Sequence, residues 1–446
     1  MGLNAIEHIV VLLLENRSFD HMLGYLSLEE GRTDVDGLKP GLKNSWKGRD
    51  YPVRHLTERT LPADPCHEGP SCVDVQIANN CSGFVENFAA VYPADPGLIM
   101  GYYNKDDVPV FHQLAQQFTI CDRWFSSVAG PTIPNRMYAV AGRSQGMRTS
   151  PPTFPPPIYD MATIFDYLNA GVPPVSWRAF AGDRVFSMLR LFRNYRTAGE
   201  SQIANMDAFF TIAAAGQLPS VTWLEPDYGI LSSSENDDHP PTDIWRAQKL
   251  VGTIYNILLK AAHDAWTRTL FILTYDEHGG IYDHVSPANQ AIVPLPNDDP
   301  ADGKLTYGVR VPAFIISPWA KRQSVAHDVF DHTSILKTIL TRFLRHPDGS
   351  IPPMHARVDA ARSLGGLLSE PSARTDAEPV TPPTIATPPA TLPVDGARAL
   401  MGQGAAAAPA MPQQAVKLND FQATLKSVAD DARAHSPGST LSPACG

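Results

Sequence analysis

The chain has 446 residues, 43% of them hydrophobic and 18% charged, so it can bury a large core and has an ordinary globular composition. Its 46 acidic and 36 basic residues give a formal net charge of -10, and lysine and arginine form no cluster. A surface that binds duplex nucleic acid needs such a cluster, so nucleic acid is excluded as an obligate partner. One large domain with insertions fits this length as well as two domains do.

The first apolar run, at residues 9–14, leads directly into the polar residues Glu15, Asn16 and Arg17. A secretory signal needs a basic start, a longer apolar stretch and a small-residue cleavage site, and six residues are too few to span a bilayer. The run therefore predicts a buried strand. The protein is expected to stay in the cytoplasm or to be exported without a cleaved leader.

Three further apolar runs lie at residues 221–224, 270–275 and 311–316, and continuous runs of this kind are typical of parallel strands buried on both faces. Helical patterns lie at residues 242–263 and from about residue 331. The alternation of strands and helices predicts the α/β class, with a sandwich around a mainly parallel sheet.

Composition divides the chain into segments. Residues 1–369 are predicted to form one catalytic domain, within which the irregular, Gly-, Pro- and Asp-rich stretch at about 32–130 forms a cap or insertion. The Pro-, Ala- and Thr-rich stretch at 370–416 is predicted to be a linker that catalysis does not need. Residues 417–446 are predicted to hold a short amphipathic helix, which docks on the core, and a tail.

The five cysteines, Cys66, Cys72, Cys81, Cys121 and Cys445, cannot all pair within one chain because their number is odd. The first three lie close enough in sequence to host one disulfide, and the sequence leaves their pairing open. No CxxC pair occurs, so a structural zinc site is poorly supported.

Polar residues with oxygen ligands follow two of the predicted strands: Glu15 and Asn16 follow the first run, and Asp276 and Glu277 follow the third. Ligands bind beyond the carboxyl ends of strands in open α/β sheets. Adjacent carboxylates repel each other and stay ionised when a cation compensates them. The alternative for such a pair is a solvated turn.

Thr132 lies where a helix is predicted to begin, with Pro134 in its first turn. A hydroxyl at a helix N-terminus faces unpaired N–H groups that favour an anion, which suits an attacked phosphate. The alternative role for Thr132 is a plain N-cap. Four histidines, His67, His239, His278 and His332, also lie in polar segments, where an imidazole can stabilise phosphoryl oxygens or protonate a leaving group.

Four motifs occur in order: ENRSFD at 15–20, GPTIPNR at 130–136, NDDHP at 236–240 and YDEHGG at 275–280. Together they resemble the phosphoesterase family of bacterial phospholipases C, plant non-specific phospholipases C and acid phosphatase A-type enzymes, over about residues 5–345. The resemblance implies a three-layer, alkaline-phosphatase-like α/β/α core.

The resemblance also implies one divalent cation, held by Glu15, Asn16, Thr132, Asp276 and Glu277. Because all five ligands are oxygens, Ca²⁺, Mg²⁺ or Mn²⁺ is expected rather than Zn²⁺. Thr132 would also be the nucleophile, where acid phosphatase members use serine, and His67 and His239 would contact the phosphoryl group. Only supporting roles are implied for His278, Asn135, Arg136 and His332.

The expected activity is phospholipase C-type hydrolysis of a phospholipid phosphodiester through a phosphothreonine on Thr132. The alternatives are an acid phosphatase acting on small phosphomonoesters and an inactive module that binds lipid or protein. Four aromatic residues, Tyr102, Tyr103, Trp124 and Phe125, are candidates to line a head-group pocket, unless they pack the core. Any contact with a membrane surface is expected to be shallow and transient, since no long basic amphipathic helix is visible.

Overall fold

A computed structural model describes residues 2–153, 155–182, 186–230, 234–287, 306–385 and 418–434. Most of the predicted linker, the tail beyond residue 434 and Cys445 lie outside the described residues.

Twelve strands are described, and most of them belong to one central sheet. In chain order they are β1 (His8–Leu14), β2 (Lys43–Trp46), β3 (Arg49–Pro52), β4 (Arg54–His55), β5 (Gly101–Tyr102), β6 (Thr119–Cys121), β7 (Trp177–Ala181), β8 (Ile203–Asn205), β9 (Val221–Glu225), β10 (Thr269–Tyr275), β11 (Ala313–Ile316) and β12 (Ser324–Ala326). The central sheet has eight strands in the order β12-β6-β11-β10-β1-β9-β7-β8.

The α-helices in chain order are α1 (Gly2–Ala5), α2 (Phe19–Leu23), α3 (Tyr25–Leu28), α4 (Asp74–Cys81), α5 (Phe84–Phe88), α6 (Pro109–Gln117), α7 (Thr132–Ala141), α8 (Ile164–Ala170), α9 (Met206–Ala214), α10 (Trp245–Leu259), α11 (Thr333–Phe343), α12 (Ala356–Ala360) and α13 (Asp420–Ala434). They include one packing group of α6, α9 and α10 and another of α7, α8, α11 and α12, as the three-layer sandwich requires.

All four predicted strands belong to the central sheet, where they are buried. The strand β1 pairs in parallel with both β10 and β9, as the apolar runs predicted. The run at 311–316 is different, because β11 pairs antiparallel with β10 and with β6. Its apolar composition reflects burial on both faces, which does not distinguish the two strand directions.

The predicted insertion at 32–130 contains the small sheets β2-β3 and β4-β5 and several short helices, but it also supplies β6 to the central sheet. At the other end of the domain, the first part of the predicted linker packs on the core. The Arg374 guanidinium donates to the carbonyls of Gln117 (2.9 Å) and Ala320 (2.8 Å), and the Val380 amide donates to Asn256 at 2.9 Å. Core contacts therefore continue beyond residue 369.

Within the described residues, no helix has both the length and the hydrophobicity required to cross a bilayer.

His21 is buried in α2 and makes the folded state sensitive to acid. Its Nδ1 donates to the Gly101 carbonyl (2.7 Å), and its Nε2 accepts from Arg17 (3.0 Å). Burial and the nearby charge of Arg17 lower the pKa of His21 to about 3, against about 6.5 in an unfolded chain. Between these pH values the folded state binds fewer protons than the unfolded state, so stability is lost as the pH falls from 6.5.

We expect this histidine alone to cost about 2 kcal/mol of unfolding free energy between pH 6.5 and pH 5. A His21→Asn variant keeps an amide that can donate to Gly101 but does not titrate, so it should lack this loss. Urea unfolding of both proteins at the two pH values measures the difference. Equal pH dependence in the two proteins would contradict the assignment.

Candidate active site

The parallel pairing of β1 and β10 brings the two acidic motifs together. Leu14 lies opposite Tyr275 in the register, so Glu15 and Asp276 leave the same edge of the sheet side by side. The Asn16 amide donates to Asp276 Oδ1 at 3.2 Å, and the Glu277 amide donates to the same oxygen at 2.7 Å. Glu15, Asn16, Asp276 and Glu277 are all fully buried. The solvated-turn alternative is therefore wrong.

Asn16 turns the chain at this edge in a conformation that few residues adopt. Its φ of 62° lies in the left-handed region, which asparagine tolerates better than most residues other than glycine. Gly279 packs so closely that an added Cβ would lie 2.3 Å from the Asn16 carbonyl oxygen. The two turns after β1 and β10 are thus fitted to each other.

Thr132 begins α7, as predicted, but the N-cap residue of that helix is Pro131. The plain N-cap alternative is therefore wrong, because the Thr132 hydroxyl caps no helix amide and instead lies 3.4 Å from Asn16 Oδ1 as a donor. Asn135 holds the preceding turn: its amide nitrogen donates to the carbonyls of Val128 (3.1 Å), Gly130 (2.9 Å) and Pro131 (3.1 Å).

Arg136 is the cation that the structure itself provides between the carboxylates. Its guanidinium lies 3.2 Å from Glu15 Oε1 and 3.0 Å from Asp276 Oδ2. The contact to Glu15 is an ion pair without hydrogen-bond geometry, and both Glu15 oxygens and Glu277 Oε1 have no hydrogen-bond partner. One guanidinium thus faces two buried carboxylates, Glu15 and Asp276, while Glu277 lies against His278, 3.2 Å from its Nδ1.

This excess of negative charge is visible in the electrostatics. Burial, together with repulsion from Asp276, Asp237 and Glu277, raises the pKa of Glu15 well above its usual range despite Arg136. Burial and Glu277 likewise raise the pKa of Asp276. Unpaired oxygens on buried carboxylates are costly, and a divalent cation would compensate both the repulsion and the missing bonds. The residues present therefore fit a metal that prefers oxygen ligands.

Thr132 opens into a pocket of about 260 Å³ that is also lined by His67 and His239. The two imidazole rings lie 6.0 Å apart, centre to centre. The Nδ1 of His67 donates to Pro65 O (2.9 Å) and that of His239 to Pro240 O (2.6 Å), which leaves Nε2 of each ring for other partners. Burial lowers the pKa of His67, but Glu277 and Asp64 outweigh it and raise the value to about 9, so His67 is a cation at neutral pH.

Comparisons with known proteins decide the family. The model of the Phosphoesterase family matches residues 6–344. The chain belongs to the phosphoesterase family. The resemblance drawn from the four motifs is thereby confirmed, and the chain is a phosphoric ester hydrolase.

Relatives of this phosphoesterase occur in plants and bacteria. Non-specific phospholipase C6 of Arabidopsis thaliana is 31% identical over 435 residues, which cover 90% of this chain and 79% of the relative. Phospholipase C B of Mycobacterium tuberculosis is 30% identical over 396 residues, covering 76% and 74%. Among solved structures, a protein of the alkaline phosphatase superfamily from Vibrio parahaemolyticus aligns with a TM-score of 0.35 at 14% identity, covering 60% of this chain and 65% of that chain.

The other two predicted site histidines of the phosphoesterase, His332 and His278, contact the acidic residues on the side away from the pocket. His332 Nε2 donates to the Asp276 carbonyl at 2.6 Å, and burial lowers the pKa of His332 to about 4, so the ring is neutral. His278 Nδ1 lies 3.2 Å from Glu277 Oε2, and its Nε2 bonds to Gln76 at 2.9 Å. Neither imidazole lines the pocket that contains Thr132.

Sequence reasoning missed two residues of the site. Asp237 is buried, its carbonyl accepts from the Glu15 amide at 2.8 Å, and its Oδ2 has no hydrogen-bond partner. Its position in the NDDHP motif was an available signal. Tyr228, whose hydroxyl accepts from Arg136 Nη1 at 3.2 Å, follows β9 outside every motif, so the sequence offered no signal for it.

The aromatic residues proposed for a head-group pocket instead pack the core. Tyr103, Trp124 and Phe125 are completely buried, and Tyr102 is 8% exposed. The indole of Trp124 donates to His332 Nδ1 at 3.3 Å. None of the four lines the pocket at Thr132, so that prediction was wrong and the core alternative is right.

A second group of potential metal ligands, Asp20, Asp283 and His284, is already neutralised. Arg310 is buried between the carboxylates, 3.0 Å from Asp20 Oδ1 and 2.9 Å from Asp283 Oδ1, and His284 Nδ1 lies 2.7 Å from Asp20 Oδ2. The carboxylates around Thr132 differ, because both oxygens of Glu15 and Oε1 of Glu277 have no hydrogen-bond partner among the described residues.

The C-terminal helix α13 forms a wall of the pocket. Phe421 of this helix lines it together with Thr132, as do Leu418 and Asn419 immediately before the helix. The Phe421 ring contacts Tyr228 edge to face, with centroids 5.0 Å apart, and the Arg136 guanidinium lies 5.4 Å from the centre of the Phe421 ring. The helix predicted to dock on the core therefore docks at the candidate active site.

We expect Phe421→Ala to lower kcat/KM by roughly tenfold or more. The substitution removes the ring that packs on Tyr228 and Arg136, so both side chains can move away from their positions at the site. Deletion of residues 418–446 should have at least the same effect. Lys426→Ala is the matched control, since Lys426 lies on the exposed side of α13 and, within the described residues, pairs with Asp430 alone. Initial rates on a soluble phosphodiester measure the effect. Full activity of the deletion variant would show that the helix is dispensable.

Proposed function

We propose that this phosphoesterase is a metal-dependent phospholipase C that hydrolyses glycerophospholipid diesters through a phosphothreonine on Thr132. The observation that carries the proposal is the placement of the Thr132 hydroxyl, 3.4 Å from Asn16 Oδ1, between the buried carboxylates and the pocket of His67 and His239. Relatives named phospholipase C support the substrate class.

The proposed metal ligands are Glu15, Asn16, Thr132, Asp276 and Glu277. When bound, the cation would act as a Lewis acid that lowers the pKa of the nucleophilic hydroxyl and stabilises phosphoryl oxygens. Both oxygens of Glu15 and Oε1 of Glu277 accept no hydrogen bond from the part of the chain that the structure describes, so they are available to a cation. Ca²⁺, Mg²⁺ or Mn²⁺ suits such oxygen ligands better than Zn²⁺ does.

The side chains supply the remaining steps. The Thr132 oxygen attacks phosphorus, the bond to the glycerol oxygen breaks, and diacylglycerol leaves as the alcohol. His67 and His239 line the same pocket as Thr132. His67 would face the charge on the phosphoryl oxygens, and His239, whose Nε2 lies 3.9 Å from Asp64 Oδ2, would exchange a proton with the leaving alcohol. Water then hydrolyses the phosphothreonine and releases the phosphorylated head group.

The space around the site suits a diester, which carries two substituents. A second pocket of about 510 Å³ adjoins the first and shares Asp64, His239, Leu418 and Asn419 with it. Apolar contributions to the first pocket come from Val91, Ile133 and Phe421. A phosphomonoester has a single substituent and would therefore fill only one of the two pockets.

The test is a comparison of substrates on the purified, metal-loaded protein. We expect release of diacylglycerol from mixed phospholipid micelles, with kcat/KM for the phospholipid at least about tenfold above that for small phosphomonoesters, since groups outside the reacting centre contribute binding energy. Efficient hydrolysis of monoesters without diacylglycerol release would instead identify an acid phosphatase. Absence of both activities would leave the binding module.

A further inference from the structure

The segment that carries His67 is held by the residues on either side of the histidine rather than by the imidazole itself. From Asp64 to Glu68 the backbone belongs to no helix or strand. The only hydrogen bond of the His67 ring in the described part of the chain is the one to Pro65, two residues away. The first long-range backbone bond after it comes from the Gly69 amide, which donates to the Arg148 carbonyl at 2.8 Å. The Glu68 side chain also accepts from the Ser150 amide at 2.9 Å, which holds the chain on the C-terminal side of His67. A constraint on the N-terminal side of His67 is needed as well.

A disulfide provides that constraint. Cys66 and Cys72 are bonded, with Cα atoms 5.8 Å apart, and the bond closes a short loop that contains His67. The loop leads into a π-helical turn, Gly69–Val73, and then into α4. Because Cys72 is buried in that turn, the bond ties the residue next to His67 to a fixed element.

Cys66 also contacts the segment that follows Asp276 and Glu277. The Cys66 carbonyl accepts from Gln76 Nε2 at 2.7 Å, and Gln76 Oε1 accepts from His278 Nε2 at 2.9 Å. An added Cβ on Gly280 would lie 2.5 Å from the Cys66 carbonyl oxygen, so the segment rests directly on the turn that follows Glu277. The backbone beside His67 is thus placed relative to the proposed metal ligands.

We propose that the Cys66–Cys72 disulfide is a positioning element for His67, and that its reduction lowers the rate of phosphoester hydrolysis by releasing the His67 segment. The role of His67 in this proposal rests on the proposed function. Cys66 lines the pocket, so a small dithiol can reach the bond. Reduction transfers two electrons and two protons from the dithiol, giving two cysteine thiols and the cyclic oxidised dithiol.

A double-mutant cycle tests whether the disulfide acts through His67. All four proteins are full-length and carry Cys445→Ser, which defines the parent. The second adds Cys66→Ser and Cys72→Ser, the third adds His67→Ala, and the fourth adds all three substitutions. We expect loss of the disulfide to lower kcat/KM on a soluble phosphodiester by roughly tenfold or more in the parent, as for other misplaced catalytic groups. In the His67→Ala background the same loss should change kcat/KM by less than about twofold. Equal effects in the two backgrounds would overturn the proposal.

Hydrogen exchange, followed by mass spectrometry without substrate, provides a readout that needs no activity. Loss of the disulfide, or treatment of the parent with dithiothreitol, should speed amide exchange in the peptide that covers residues 64–68. Unchanged exchange in this peptide would overturn the proposal about the disulfide. Absence of turnover in the parent would contradict the proposed function instead, and the exchange result would still decide the role of the disulfide. Cys121→Ser is the matched control, because Cys121 is a buried free thiol in β6 and should change neither readout.

Discussion

Replacement of Thr132 by alanine is expected to abolish turnover while leaving the fold intact. Loss of a nucleophile typically lowers kcat by about four to six powers of ten. The stability change should be well below the approximately 1 kcal/mol typical of a lost N-cap, because Pro131 is the N-cap residue and the Thr132 hydroxyl bonds to no helix amide. Turnover assays and thermal unfolding of the purified variant measure both quantities.

Thr132→Ser is the matched control for this experiment. It keeps the hydroxyl that donates to Asn16 and removes one methyl group, so it should retain measurable turnover. Thr132→Val keeps the shape and removes the hydroxyl, so it should be as inactive as the alanine variant. Near-normal activity of the alanine or valine variant would show that another group attacks phosphorus.

The residues of the site that could be predicted from sequence are those that come directly after predicted strands. Glu15 and Asp276 both come directly after apolar runs, and parallel pairing of β1 with β10 is enough to bring them together. Thr132 at a helix start was predictable from the prolines around it. These inferences need local patterns and one topological rule.

The rest depended on contacts between distant parts of the chain. Phe421 packs on Tyr228, nearly two hundred residues earlier, through a surface that no local pattern encodes. Trp124 and Phe125 lie in a Gly- and Pro-rich stretch, where aromatic residues often line a pocket. They are buried in the core because they follow β6 directly, and β6 belongs to the central sheet. The pairing of Cys66 with Cys72 rather than Cys81 likewise required the fold.

Removal of the proposed divalent cation with a chelator is expected to abolish turnover and to lower the stability of the protein. A cation present at about 100 times its Kd contributes about 2.7 kcal/mol to the folded state, and that contribution disappears on chelation. The carboxylates of Glu15 and Asp276 are then left buried, repelling each other, with Arg136 as their nearest cation. Activity should return when Ca²⁺, Mg²⁺ or Mn²⁺ is added back.

A Glu15→Gln variant makes this prediction sharper, because the sign of its effect should depend on the metal. With the cation present, loss of a charged ligand should weaken binding, so the variant should be less stable than the wild type. With chelator, the same substitution removes repulsion at a site where burial already disfavours the charge, so the variant should be at least as stable as the wild type.

Asp283→Asn is the matched control for that reversal. Asp283 is equally buried, but its carboxylate is paired with Arg310, so its loss should destabilise the protein by a few kcal/mol whether or not metal is present. Thermal unfolding of the three proteins, each with and without chelator, supplies the comparison. If Glu15→Gln behaved like Asp283→Asn in both conditions, Glu15 would be a structural partner of Arg136, and the cation would have to bind elsewhere.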